Sequence, residues 1–297
     1  MRVLATGATG VYAGLVVPAL VRRGITVRAL VHDPAKADLP RAQGAQEVVH
    51  ADLADPAGLA EAMRGVDGLF LITPAFAPEA TQMALDAVAV AVRAGVRKVV
   101  YSGVYHPSLS LVNHAGTRPV EESLYRSDLE FVVLQPAMFM QGLAGAYQQA
   151  LQTGTVVMPW SKRARMTYVD YRDVADVAAR AFAEDTLNHG TFELAAAGTH
   201  DRVQVAALMS AAAGRTLVAE DPSALPPGQP DGLTAMFRDY DRHGLHGGNA
   251  MVLHTLLQRE PRNLQDFFFE LRSTPLPWTC SPPRTPRSCS STTSSAR

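Results

Sequence analysis

The stretch TGATGVYAG, at positions 6–14, follows an apolar run that predicts a short strand. Apolar residues then recur at helical spacing as far as Gly24, which is typical of a helix end. The glycines therefore lie where a first strand turns into a first helix. Such a cluster is a flexible joint, a tight structural turn or a loop that brings backbone amides close to a phosphate, and this context favours the phosphate loop.

Each small residue of this loop has a physical reason. Gly7 allows the tight turn, Gly10 lets the backbone approach a pyrophosphate, and Ala13 lets the helix pack closely on the strand. The spacing is Gly-x-x-Gly-x-x-Ala, which differs from the Gly-x-Gly-x-x-Gly of ordinary dinucleotide-binding dehydrogenases. The loop predicts a dinucleotide site.

Strands and helices alternate through the first half of the chain. Uniformly apolar strands between amphipathic helices predict an α/β fold with a parallel sheet covered on both faces, and right-handed crossovers make it doubly wound. The predicted strands are 3–5, 25–31, 47–50, 68–73 and 98–102, and the predicted helices are 13–23, 56–64 and 78–94. Further on, Asp170 and Asp173 open an amphipathic helix, where capping explains both acids better than catalysis.

Composition excludes several classes of protein. The 297 residues carry a net charge of −1, 47% of them are hydrophobic, and no run of 18 apolar residues occurs. We therefore expect a soluble, cytoplasmic protein that binds a small molecule and neither nucleic acid nor membrane. Cys280 and Cys289 offer no metal-ligand spacing, so no metal is expected. Residues 273–297 are rich in Ser, Thr, Pro and Arg, which predicts a disordered tail.

Several segments together resemble a known family. The opening MRVLATGATGVYAG and the later GVDGLFLITP, AVRAGVRKVVYSG and VDYRDVADVAARAF are similar to the NmrA-like group of atypical short-chain dehydrogenases/reductases. The resemblance covers about residues 1–270. It implies an NAD(P)-binding Rossmann core in residues 1–137, which later strands rejoin, and a smaller, mostly substrate-binding part in residues 138–272.

The resemblance also implies cofactor contacts at matching positions. These are Gly7, Thr9, Gly10, Val11 and Tyr12 in the pyrophosphate loop, Asp52 and Leu53 beside the adenine, and Thr73 and Pro74 near the nicotinamide ribose. Two of these positions have a structural alternative. Asp52 is also placed to cap the helix that begins near Pro56, and Pro74 is also a simple loop breaker.

The end of the second strand distinguishes NADP from NAD, because an acid there binds a free ribose hydroxyl and basic groups pair with the extra phosphate. His32 stands where similar proteins often carry arginine, and Lys36 occupies a matching basic position. Asp33 lies at a distance from the glycines that suits NAD, but before Pro34 it is more typical of a turn cap. We favour NADP and leave NAD open.

The Tyr-x-x-x-Lys pair of short-chain dehydrogenases is absent at the matching positions. Alignment on RPVEESL places Asn113 at the tyrosine position and Thr117 at the lysine position. His114 and Arg118 keep the four-residue spacing but are displaced by one residue, about 100° around a helix. They form a substitute acid and cation if the local helix is rotated; otherwise His114 starts a helix and Arg118 is solvated.

Other candidates follow the fifth strand. Ser102 stands where similar proteins carry a serine or threonine near the nicotinamide, and Tyr105 or His106 could reach the same cleft. Packing is the alternative interpretation for Tyr105. The segment QPAMFMQG is expected to form an apolar substrate wall, with core packing as its alternative; the residues concerned are Met138, Phe139 and Met140.

Two functions are compatible with these features. The first is an NADPH-dependent reductase of a small apolar carbonyl compound, quinone or similar electrophile. The second is a non-catalytic NAD(P)-binding redox sensor that acts through a protein partner. The absent lysine favours the sensor, whereas the phosphate loop fits both. We favour the reductase; a protein partner or a homodimer is compatible with either function.

Overall fold

The computed structural model describes residues 1–225 and 227–273. Its strands are β1 Arg2–Ala5, β2 Thr26–Val31, β3 Glu47–His50, β4 Gly68–Leu71, β5 Lys98–Ser102, β6 Glu130–Pro136, β7 Met138–Phe139, β8 Thr155–Val156, β9 Tyr168–Val169, β10 Gly190–Leu194 and β11 Val218–Ala219. Its helices are α1 Val16–Arg22, α2 Asp38–Ala42, α3 Pro56–Ala62, α4 Ala80–Arg93, α5 Val112–Ala115, α6 Arg118–Tyr125, α7 Leu143–Thr153, α8 Tyr171–Ala183, α9 Arg202–Ala213, α10 Asp231–His243, α11 Met251–Leu257 and α12 Leu264–Ser273. Apart from Ser273, the predicted disordered tail lies outside the described residues.

The main sheet contains seven parallel strands in the order β3-β2-β1-β4-β5-β6-β10. This order confirms the predicted doubly wound α/β fold. The strand order reverses between β1 and β4, and sheets of this kind bind ligands outside the carboxyl ends of the strands at such a switch point. The sheet edge beyond β6 is completed by β10, whose Phe192 lies opposite Leu134.

The element boundaries follow local chemistry. The predicted ranges of β3 and β5 coincide with the observed ones, but β4 ends at Leu71, two residues early. It ends there because the backbone of Ile72 pairs with the side chain of Thr6 and not with a neighbouring strand. The first helix begins as a 3-10 turn, Ala13–Leu15, and Pro18 lies in the first turn of α1, where a missing N–H costs little.

Two apolar layers enclose the sheet, and β1 shows how it divides them. Val3 and Ala5 point into the layer formed with α1 and α8, whereas Leu4 points into the layer formed with α3, α4 and α6. All three side chains are fully buried. Because successive side chains of a strand face opposite sides, an uninterrupted apolar strand is what a sheet covered on both faces requires.

A buried carboxylate fastens α8 to the C-terminal part of the chain. Asp170 caps α8 as predicted, since its side chain accepts a hydrogen bond from the backbone N–H of Arg172. Asp173 has a different role from the predicted cap. It is fully buried and binds the side chains of Arg259 and Arg262, and it also accepts the backbone N–H of Arg262 at 2.7 Å.

We expect Asp173→Asn to lower the free energy of unfolding by roughly 2 kcal/mol, because both arginines lose a carboxylate partner but stay partly solvated. Urea denaturation measures the change. Glu61→Gln is the matched control, since the exposed Glu61 pairs with the exposed Arg64, two residues past the end of α3, and the loss of this pair is expected to cost less than about 0.5 kcal/mol. Equal losses in the two variants would contradict the anchoring role of Asp173.

Candidate functional site

The glycine loop crosses from β1 to the first helix, and at Gly7 it has no room for a side chain. Gly7 has a φ of +67°, and a Cβ atom there would lie 2.9 Å from both the Ala13 Cβ and the Ile72 Cγ2 atoms. The backbone N–H of Gly10 donates to the carbonyl of Gly7 at 2.8 Å, and both glycines are exposed. The predicted loop therefore presents bare backbone at the switch point of the sheet.

Thr6 fixes the position of this loop. Its hydroxyl donates to the carbonyl of Ile72 at 3.0 Å and accepts the backbone N–H of Ile72 at 2.9 Å. One buried side chain therefore ties the carboxyl ends of β1 and β4 together. The loop starts from a fixed point directly above the two strands between which the sheet order reverses.

A cavity of about 620 Å³ opens beside the loop, over the carboxyl ends of the central strands. Its wall brings together residues that are widely separated in the sequence. The predicted site residues among them are Tyr12, Thr73, Pro74, Ser102, Tyr105, His114, Met138 and Phe139. Pro230, which directly precedes α10, and residues of α10 line the opposite side of the cavity. Met140 instead packs in the core and is 1% exposed.

The residues predicted to distinguish NADP from NAD lie on the surface beyond β2 and β3. His32 and Lys36 are exposed, and the His32 Nδ1 atom is 3.5 Å from a carboxylate oxygen of Asp52. Asp33 caps the 3-10 turn Pro34–Lys36 through a 3.0 Å hydrogen bond from the backbone N–H of Ala35. Its carboxylate is thus engaged as the sequence predicted, and the basic side chains are left facing solvent.

The two residues predicted beside the adenine differ in exposure. Asp52 is exposed and accepts the backbone N–H of Ala54 at 2.9 Å, whereas Leu53 is buried. The alternative interpretation of Asp52 as the cap of α3 is wrong, because Asp55 is the residue that caps this helix. The carboxylate of Asp52 therefore stays at the surface, next to His32.

Ser102 has a partner that the sequence did not indicate. Its Oγ atom lies 3.0 Å from the Tyr171 hydroxyl, and both side chains are buried, Tyr171 completely. Burial raises the pKa of Tyr171, although its hydrogen bond to Ser102 acts in the opposite direction. Tyr171 is the first residue of α8, 69 positions away from Ser102, and nothing in its local sequence predicts this contact.

An aromatic cluster joins the glycine loop to this pair. The rings of Tyr12 and Phe139 are 4.8 Å apart, and the rings of Phe139 and Tyr171 are 4.7 Å apart in an edge-on arrangement. Tyr12 also lies 6.2 Å from Tyr171. Contacts of this kind fix ring orientation beyond simple burial. The loop, the apolar wall and the Ser102 hydroxyl are therefore held in one packed unit.

A second buried polar pair lines the cavity. His114 is fully buried, with Nδ1 3.2 Å from the carbonyl of His106 and Nε2 3.1 Å from the hydroxyl of Tyr240. Because a carbonyl only accepts, Nδ1 carries the proton and Nε2 accepts from Tyr240. Burial lowers the pKa of His114, and the carbonyl of His106 opposes this effect. His114 is thus a neutral side chain whose two nitrogens are both occupied.

Tyr105 and His106 differ in accessibility. Tyr105 lines the cavity and is 4% exposed, and burial together with the charge of Glu193 raises its pKa. His106 has a φ of +53° and turns away toward Glu193, which lies 2.8 Å from its Nδ1 atom, and toward the carbonyl of His246. Of the two, the structure brings Tyr105 to the cavity.

The positions that replace the usual Tyr-x-x-x-Lys pair also line the cavity. The side-chain N–H₂ of Asn113 donates to the sulfur of Met236 at 3.4 Å, and the Thr117 hydroxyl donates to the carbonyl of His114. Arg118, predicted as the substitute cation, is exposed at the start of α6. The structure therefore brings His114 to the cavity and leaves Arg118 in solvent.

The chain is similar in sequence and fold to known proteins. The model of the NmrA-like family matches residues 1–246. The NAD(P)H azoreductase of Xenophilus azovorans is 30% identical over 222 residues, covering 72% of this chain and 74% of the azoreductase, and quinone oxidoreductase 2 of Escherichia coli is 29% identical over 255 residues, covering 82% and 88%. The crystal structure of an NADPH-dependent quinone oxidoreductase from Escherichia coli, complexed with NADPH, shares the fold with a TM-score of 0.78 at 24% identity, covering 91% of this chain and 99% of the other.

Within residues 1–225 and 227–273, no helix is long and apolar enough to cross a membrane.

Because the folded protein holds His114 neutral, acidification below the ordinary histidine pKa of 6.5 should favour the unfolded state, which takes up the proton first. The free energy of unfolding of the wild type should then fall more steeply below about pH 7 than that of His114→Asn. Urea denaturation over a pH series measures both slopes. Substitution of the exposed His246 by asparagine should keep the wild-type slope. Identical slopes for wild type and His114→Asn would rule out a neutral buried histidine.

Proposed function

The chain belongs to the NmrA-like family, and from this premise we propose that it is an NADPH-dependent reductase of a small apolar carbonyl compound, quinone or similar electrophile. The observation that carries the proposal is the cavity of about 620 Å³ that adjoins the glycine loop at the switch point of the sheet. Its wall is mostly apolar and aromatic, with a few buried polar groups, which is the usual composition of a small-molecule site. The curated relatives named as an azoreductase and a quinone oxidoreductase support the same reaction class.

The residues of the loop fit a nicotinamide dinucleotide. A Cβ atom at Gly7 would collide with Ala13 and Ile72, so the turn requires a glycine there, and the exposed backbone of Gly7 and Gly10 faces the solvent side from which a diphosphate would approach. Thr9, Val11 and Tyr12 continue the loop, and Thr73 and Pro74 follow β4 along the cavity wall, beside the expected nicotinamide ribose. The bound cofactor would supply a hydride to the substrate.

NADP is the preferred cofactor in this proposal. The carboxylate that would bind the free ribose hydroxyl of NAD, that of Asp33, is engaged in capping a turn. His32 and Lys36 are exposed at the end of β2, where they are available to pair with the extra phosphate.

Ser102 is the side chain that we propose to contact the reacting substrate oxygen. It lies at the carboxyl end of β5 and lines the cavity, whereas His114 has both nitrogens occupied by protein groups. Tyr105 is the second candidate because it lines the same wall. Met138 and Phe139 are proposed to hold a flat apolar substrate against these groups.

We expect the protein to bind NADPH more tightly than NADH, and His32→Ala to weaken NADPH binding by about fivefold while leaving NADH within about twofold. The reason is that only NADPH carries the phosphate that His32 would meet. Fluorescence titration of the reduced nucleotides measures both dissociation constants. His246→Ala, at an exposed histidine of the C-terminal part, is the control. Equal weakening of both nucleotides by His32→Ala would argue against NADP.

We expect the purified protein to oxidise NADPH with a panel of quinones and carbonyl compounds, and Ser102→Ala to lower kcat by roughly tenfold to a hundredfold with NADPH affinity unchanged. Absorbance of NADPH measures turnover. Ser110→Ala, at an exposed serine of the loop after β5, should keep wild-type kcat. NADPH binding without turnover on any acceptor would refute the reductase and support the redox sensor.

A further inference from the structure

Tyr171 is a fully buried phenol whose hydroxyl meets the Ser102 side chain at the floor of the cavity. The two oxygen atoms are 3.0 Å apart, and Ser102 is the side chain that this hydroxyl contacts. Ser102 lines the cavity at the end of β5, whereas Tyr171 lies behind it at the start of α8. The phenol is therefore one layer removed from any bound substrate.

The position of the phenol is fixed from several directions. The backbone N–H of Tyr171 donates to the side-chain oxygen of Gln141 at 2.9 Å, and the amide N–H₂ of Gln141 donates to Asp170 at 2.7 Å. All three side chains are buried. The Tyr171 ring also packs edge-on against Phe139. Because backbone and ring are both held, the hydroxyl reaches Ser102 with little freedom to move.

The direction of the hydrogen bond follows from acidity and burial. The geometry allows either hydroxyl to donate; because the phenol of Tyr171 is more acidic than the alcohol of Ser102, we assign the hydrogen bond as donated by Tyr171 to the Ser102 Oγ atom. Burial raises the pKa of Tyr171, which keeps the phenol protonated and able to donate throughout the neutral range. The Ser102 oxygen is thereby occupied as an acceptor, and its own O–H is left to donate into the cavity. Hydrogen bonds arranged in such a chain strengthen one another.

We propose that Tyr171 is a positioning residue that aims and polarises the Ser102 hydroxyl toward the substrate oxygen; this inference rests on the proposed reductase function. A hydride from bound NADPH would bring two electrons and one hydrogen to the substrate, and negative charge would then develop on the substrate oxygen. The Ser102 O–H donates a hydrogen bond to that oxygen and its bond does not break. A proton from solvent would complete the reduction of the substrate, with oxidised NADP as the other product.

A double-mutant cycle with Tyr171→Phe and Ser102→Ala tests the proposal. Tyr171→Phe keeps the ring packing and removes one hydroxyl, and we expect it to lower kcat about fivefold to tenfold, with KM and NADPH affinity within about twofold. In the Ser102→Ala background the same change should have no further effect. Tyr147→Phe is the matched control, since Tyr147 is equally buried on α7 and its hydroxyl has no hydrogen-bond partner among the described residues. It should keep wild-type kcat.

A binding measurement separates this proposal from the reductase reaction itself. With NADP present at alkaline pH, 4-nitrophenolate serves as a planar oxyanion, and 4-nitroanisole is the matched neutral probe. Tyr171→Phe and Ser102→Ala should each weaken 4-nitrophenolate about fivefold and leave 4-nitroanisole unchanged. This result without any turnover would retain the positioning role and refute the reductase.

Two results would overturn the positioning role. One is additivity, in which Tyr171→Phe lowers kcat as much in the Ser102→Ala background as in the wild type. The other is a wild-type dissociation constant for 4-nitrophenolate in both variants. An equal loss of kcat in Tyr147→Phe would show that removal of any buried hydroxyl slows the enzyme, and it would also refute the proposal.

Discussion

The structure depends on one steric constraint, the passage of bare backbone between the first strand and the first helix. At Gly7 the chain turns with a positive φ, between Ala13 on one side and Ile72 on the other, and no side chain fits there. Ile72 is itself tied to β1 through the hydroxyl of Thr6. The same contact therefore joins the two central strands, ends β4, and fixes the start of the loop above the point where the strand order reverses. The loop meets the cavity at Tyr12, five residues after this turn, which lines the cavity and packs against Phe139.

The second half of the chain completes the site by supplying two tyrosine hydroxyl groups that bind polar side chains of the first half. Tyr171, at the start of α8, reaches Ser102 from behind the sheet, and Tyr240, on α10, reaches His114 across the cavity. The helix α8 is held to the C-terminal part of the chain by the ion pairs of the buried Asp173 with Arg259 and Arg262. The Rossmann sheet and the later segments therefore depend on each other, because a shift of α8 would move Tyr171, the hydrogen-bond partner of Ser102.

The buried polar side chains at and behind the cavity wall carry no net charge and act through their hydrogen-bond dipoles. Burial raises the pKa of Tyr171 and Tyr240 and lowers the pKa of His114, so that all three side chains are neutral near pH 7. The usual lysine is absent, and Arg118, four residues after His114, lies in solvent. Stabilisation of charge on a bound substrate would therefore come from oriented hydroxyl groups in a largely apolar surrounding, where a hydrogen bond is electrostatically stronger than in water.

The sequence alone determined the parallel, doubly wound sheet and the location of the glycine loop, because strand apolarity, helical periodicity and glycine placement are local properties. It also predicted the capping roles of Asp33 and Asp170, which depend on neighbouring backbone amides. Tertiary structure decided the rest. Which face of the segment 113–118 meets the cavity, why Met140 packs in the core, and how Tyr171 reaches Ser102 depend on how distant elements pack. These contacts join residues tens of positions apart, as with Tyr171 and Ser102. Hydrophobic periodicity shows which residues are buried, but it does not show which distant side chain a buried hydroxyl group contacts.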